Sequence, residues 1–190
     1  MADVLIAYNN DGYSDLHMFF ESCADTAKQH CYNKGKTYNS IFPPTLTEDN
    51  IIQGMNDCEI CFIASHGHAN GIHNEKSEDV VSTNTANYVF ANKIFYSISC
   101  NCGQHLANNL IENNVALFVG YDAELKVGSN EELFVEAATE GFKHIVDGDP
   151  IPDIIAAIKN KFEENIKKAE RFEDKFLLLH NKEHLVFETA

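Results

Sequence analysis

Residues Ile60-Cys61-Phe62-Ile63-Ala64 are apolar at every position and stop abruptly at Ser65-His66-Gly67-His68. A strand with no polar face has to be covered on both sides, which is the situation of a strand inside a parallel sheet flanked by helices. Val4–Tyr8, Thr37–Phe42, Lys93–Ser99 and Ala116–Gly120 are further β-rich runs. Helical patterns separate them. The first runs from Ser14 to Cys31, with apolar residues at 16, 19, 20, 23, 24 and 27. Thr47-Glu48-Asp49-Asn50 reads as a capped, acidic helix start leading to Met55. Later helices are expected over Gln104–Glu112, Glu131–Val146 and Ile151–Glu170, and a polar loop or small hairpin with a short helix over 69–92. Phe176–Leu179 and His184–Phe187, bracketing Asn181-Lys182, read as a terminal hairpin. The alternation predicts an α/β three-layer sandwich, with a mostly parallel central sheet of about six strands and a C-terminal hairpin. No linker or repeat interrupts it, so residues 1–190 are read as a single domain.

Net charge narrows the partners. Lys and Arg number 14 against 29 Asp and Glu, a balance of −15. Such a surface repels phosphate backbones and anionic lipid, so neither a nucleic acid nor a membrane is expected as partner. No apolar run reaches the ~20 residues of a membrane helix, and the segment before Tyr8 lacks the basic start of a signal peptide. A cytoplasmic location is the resulting expectation. There thiols stay reduced, so the six cysteines at 23, 31, 58, 61, 100 and 102 call for roles other than disulfides. Cys23, Cys31, Cys58 and Cys61 read as small buried hydrophobes. Cys58-Glu59-Ile60-Cys61 has no second pair to complete a zinc site.

Reacting groups in open α/β sheets collect beyond the carboxyl ends of strands. Both unusual polar clusters sit there: Ser65-His66-Gly67-His68 after one apolar run, and Ser99-Cys100-Asn101-Cys102-Gly103 after another. A thiol attacks only as thiolate and needs a base, a cation or a helix N-terminus nearby. If the two runs are neighbouring strands, the His66 ring and the Cys100 sulfur emerge side by side. The helix opening at Gln104 would then add its positive end. Gly67 lets the backbone approach closely, and the Gly67 and Cys100 amides could donate to an oxyanion.

Apolar strand, Ser-His-Gly, polar stretch, apolar strand, Ser-x-Ser-Cys and glycine resembles the signature of the clan holding caspases, metacaspases, gingipains, clostripain and separase. The closer resemblance is to CHAT domains and gingipains. Leu106-Ala107, Leu110 and Ala116-Leu117-Phe118-Val119-Gly120 follow their order after the cysteine. The chain departs from them at His180-Asn181-Lys182, where their turn is Gly-Asp-Pro. The resemblance implies the caspase–hemoglobinase fold and cysteine endopeptidase activity on proteins or peptides without a cofactor. It implies a dyad of His66 and Cys100, an oxyanion site at the Gly67 and Cys100 amides, and a thioacyl intermediate. It also implies control by a protein partner or larger assembly.

Neighbouring residues compete for these roles. Cys102 lies two positions beyond Cys100, but family order favours Cys100; His68 lacks the glycine that follows His66. His66, His68, His73, His105, Cys100 and Cys102 are types that zinc or copper accepts, though their spacings match no common structural site, and no metal is expected. Asp11, Asp122 and Glu124 are candidate substrate-binding residues, since a carboxylate would select Arg or Lys. Basic or uncharged substrates are therefore expected. A catalytically silent interaction module is the alternative reading.

Overall fold

A computed structural model describes residues 2–190. In chain order the elements are β1 (Val4–Tyr8), α1 (His17–Asn33), β2 (Tyr38–Ile41), α2 (Glu48–Met55), β3 (Ile60–Ala64), β4 (His66–His68), β5 (Gly71–His73) and β6 (Asp79–Ser82). A 3-10 turn at Asn87–Phe90 follows, then β7 (Ile94–Ile98), α3 (His105–Glu112), β8 (Leu117–Tyr121), α4 (Glu131–Asp147), α5 (Ile151–Lys168), α6 (Phe172–Glu183) and β9 (Leu185–Glu188). Six strands make the main sheet in the order β2-β1-β3-β7-β8-β9. All neighbours are parallel except β8 and β9.

The uninterrupted apolarity of β3 has the expected cause. It lies between β1 and β7, and its side chains alternate between two cores. Phe62 and Ala64 pack with Val4, Ile6, Tyr96 and Ile98 against α1, α4 and α5. Cys61 and Ile63 pack with Leu5, Ala7 and Phe95 against α2, the 3-10 turn and α3. Phe62 stacks on Tyr96 at 5.9 Å and meets Phe142 of α4 edge-on at 4.9 Å. The sheet is thus the middle layer of three. Gly141 permits the tight packing behind it, because a Cβ there would sit 2.3 Å from Ile158 of α5.

Two sequence expectations need correction. The terminal strand is present as β9, antiparallel to β8, but its proposed hairpin partner Phe176–Leu179 is helical and belongs to α6. Four consecutive apolar residues fit a short strand and a helix equally well, and here they divide by helical spacing. Leu178 is buried while Phe176 and Leu179 face outward. The first helix also starts at His17 and not Ser14; Leu16, in left-handed backbone at φ 61°, turns the chain into it. Between β3 and β7 the polar stretch forms a small antiparallel sheet, β4-β5-β6.

Candidate active site

Register decides where the two clusters meet. β3 and β7 pair from Ile60↔Ile94 to Ala64↔Ile98, and the pairing continues with Ser65 N–H donating to the Ile98 carbonyl at 3.3 Å. Ser65-His66 and Ser99-Cys100 therefore leave adjacent strands at the same rim. Gly67 makes the proximity concrete. A Cβ on it would lie 2.5 Å from the Cys100 carbonyl oxygen, 3.2 Å from the Cys100 nitrogen and 3.0 Å from the Ser99 Cβ. Only a residue without a side chain lets these backbones touch.

Cys100 is the one half-exposed thiol of the six; the other five are buried. Burial pushes its pKa up, the Glu124 carboxylate adds to that, and a hydrogen bond from Leu125 N–H opposes it. The Leu125 amide lies 3.3 Å from Sγ. The helix-end effect expected from α3 is not what the sulfur meets. The first amides of α3, from His105 and Leu106, both donate to the Ala69 carbonyl, so their polarity is spent there. Cys102 is fully buried, its sulfur 3.3 Å from both the Ser97 hydroxyl and the Ser99 carbonyl, and burial raises its pKa to about 11.

His66 is held by residues that sequence reading did not connect with it. The loop after β1 brings the Ser14 hydroxyl 2.6 Å from Nε2. Ser14 also lies 3.4 Å from the Asp15 carbonyl, to which it donates, and receives the Asn9 amide at 3.4 Å. Phe20 meets the ring edge-on at 5.3 Å, and His73 stacks on it at 5.6 Å. Burial lowers the His66 pKa and His73 adds to the effect, while the Asp15 charge and carbonyl oppose it. Nε2 is the ring nitrogen that Ser14 engages, and which of the two donates depends on the ring's tautomer. Such a ring is neutral at neutral pH and able to take a proton.

His68 instead pairs with Asp79 at 2.9 Å, half-exposed on the small sheet, as a loop-side residue would. Among the described residues no group of three or more His, Cys, Asp and Glu side chains is placed to hold a metal ion. His66, His68, His73, His105, Cys100 and Cys102 do not converge on one point. Asp11 caps its own turn, accepting from Tyr13 N–H at 2.9 Å in the loop that carries Ser14. Asp122 pairs with His184 at 2.8 Å, and Glu124 with Lys126, both in the loop that follows β8. All three candidate carboxylates thus lie on loops at the strand ends, and two already have a side-chain partner. Among the described residues no helix is long and apolar enough to cross a membrane.

Comparison with known proteins gives the fold a name. No family model matches the chain, and no curated protein matches it in sequence. Solved structures do match. The Arg-specific cysteine proteinase gingipain R superposes with a TM-score of 0.72 over 99% of this chain and 46% of its own, at 11% identity. A secreted C11 cysteine protease from Bacteroides thetaiotaomicron, iotapain, superposes with a TM-score of 0.56 over 85% of this chain and 62% of its own, at 10% identity. The chain spans about half to three-fifths of the length of these two proteins. Its fold is the caspase- and gingipain-like, caspase–hemoglobinase type.

Proposed function

We propose that the chain is a cysteine endopeptidase in which Cys100 is the nucleophile and His66 the general base and acid. The observation that carries this reading is the backbone contact between Gly67 and Cys100, with both residues on the carboxyl rim of adjacent parallel strands. As the sulfur attacks a peptide carbonyl, His66 Nδ1 takes the thiol proton. The carbonyl oxygen becomes an oxyanion, which the Gly67 and Cys100 amides would receive; the Cys100 amide donates to no protein acceptor among the described residues. Collapse breaks the C–N bond, and the leaving amine departs with the proton from His66. A water then attacks the thioester, gives its proton to Nδ1, and the acid leaves as the thiol is restored.

Ser14 plays the orienting part by engaging Nε2, which leaves Nδ1 as the nitrogen assigned to the thiol proton. Because burial raises one pKa and lowers the other, the resting pair is thiol and neutral imidazole, so proton transfer accompanies attack. A thiol not primed in the resting state supports control by a protein partner or larger assembly. Asp11, Asp122 and Glu124 are the proposed readers of a basic substrate side chain. Glu124 is close enough to act on the Cys100 thiol, but both it and Asp122 would have to exchange their present partners, Lys126 and His184.

The test is hydrolysis of a mixed peptide library followed by mass spectrometry, comparing wild type with Cys100→Ala and His66→Ala. Cleavage by wild type alone is expected. Equal cleavage by all three would refute the assignment, and no cleavage by any, in the presence of cell extract, would favour a silent interaction module.

A further inference from the structure

The loop between β8 and α4 passes beside the nucleophile, and α6 grips it along its length. His184, just past α6, takes Asp122 N–H on its carbonyl at 3.1 Å and pairs through its ring with the Asp122 carboxylate. His180 reaches the Glu124 carbonyl at 3.0 Å, and Asp174 accepts Ser129 N–H at 2.9 Å. Between them Asn181, 3% exposed, takes both backbone groups of one residue: its Oδ1 accepts Lys126 N–H at 2.9 Å and its Nδ2 donates to the Lys126 carbonyl at 2.7 Å. On the near side, Asn101 N–H fixes the Ala123 carbonyl at 2.9 Å. The residue left between these anchors is Leu125, whose side chain is buried and whose N–H points at the Cys100 sulfur.

We propose that Asn181 is a positioning residue for the nucleophile: by bracketing Lys126 it fixes the Leu125 amide as the donor that the Cys100 sulfur keeps when it becomes negative. The Lys126 N–H belongs to the Leu125–Lys126 peptide unit and its carbonyl to the unit after it, so the two-point grip holds both units; with the Glu124 carbonyl held by His180, the Leu125 backbone is fixed from both sides. The donor matters most to the thiolate, because a hydrogen bond to a charged acceptor is roughly twice as strong as one between neutral groups. The catalytic meaning of this role rests on Cys100 being the nucleophile, but the role itself is a property of the thiol.

The test reads that thiol directly. The rate of Cys100 alkylation by iodoacetamide is measured against pH, with the modified peptide identified by mass, in wild type, Asn181→Ala and Asn165→Ala. Asn165 is the control: it is equally buried and donates to the Leu133 carbonyl at 2.7 Å, but it touches neither the loop nor Cys100. Both variants are expected to lower the thermal midpoint. Only Asn181→Ala is expected to shift the alkylation profile to higher pH, slowing labelling at pH 8 by about tenfold, the order expected for loss of a hydrogen bond to a charged group. Should Asn181→Ala fail to fold, Lys126→Pro removes the loop-side N–H with α6 intact, and Lys126→Ala controls for the lost charge; a larger shift for proline is expected. Superimposable profiles for wild type and Asn181→Ala, or equal shifts for the two Lys126 variants, would overturn the proposal. Because alkylation needs no peptide substrate, a failure here is separable from failure of the peptidase reading.

Discussion

The decisive contact belongs to a residue with no side chain. Gly67 lets its own backbone pass against that of Cys100, because a Cβ on it would lie 2.5 Å from the Cys100 carbonyl oxygen. Gly67→Ala is therefore expected to push the two backbones apart at a folding cost of about 1–3 kcal/mol, typical of overpacking. It should lower kcat/KM by on the order of 100-fold or more, as loss of an oxyanion donor does; chemical denaturation and steady-state kinetics on one variant measure both. The direction of the His66 shift sets the pH behaviour. A lowered pKa keeps the imidazole neutral below its ordinary value of 6.5, so base function survives into mildly acidic solution. The acid limb of kcat/KM should accordingly have its midpoint below pH 6.5, with a normal solvent isotope effect on acylation; a limb above 6.5 would contradict the neutral resting pair. The placement of His66, Gly67 and Cys100 at one rim was legible in the sequence because Ser65-His66-Gly67 and Ser99-Cys100 come at the ends of apolar runs. The parts of Ser14 and Leu125 were not, since nothing local marks a serine 52 positions away as the partner of an imidazole or an amide 25 positions away as the partner of a sulfur.

Among the elements, those whose pattern admits only one environment were read correctly. β3 is apolar throughout because both cores meet it, and β7 follows the same rule beside it. The capped start of α2 held, with Thr47 Oγ accepting from Asn50 N–H at 3.4 Å. Phe176–Leu179 misled because an apolar run of four carries no period, and tertiary contacts of Asp174, Leu178 and Asn181 decided for a helix. Ser14 misled in the opposite sense: it reads as the start of the first helix, but it lies in the loop before His17, with its hydroxyl on His66. The central strand carries the packing load, and Phe62 sits between Tyr96 and Phe142 with no exposure. Phe62→Ala should cost about 3–5 kcal/mol, as aromatic truncation in a core does. A calorimetric loss below ~1 kcal/mol would mean that β3 is not the centre of the sheet.

At the scale of the molecule, the fold sorts six chemically identical thiols into one that solvent reaches and five that it does not. Cys23, Cys31, Cys58 and Cys61 fill the two cores, as small hydrophobes do, and burial raises each of their pKa values. Only Cys100 is both open to solvent and placed at the rim where the neighbouring strand runs out into Ser65-His66. The same sorting gives the most direct test of the peptidase assignment. The folded protein is treated with a peptidyl acyloxymethyl ketone and weighed intact, beside Cys100→Ala and His66→Ala. One adduct per chain, located on Cys100 and lost in both variants, is the predicted result. An adduct on another cysteine, or labelling of Cys100 that proceeds unchanged without His66, would contradict it.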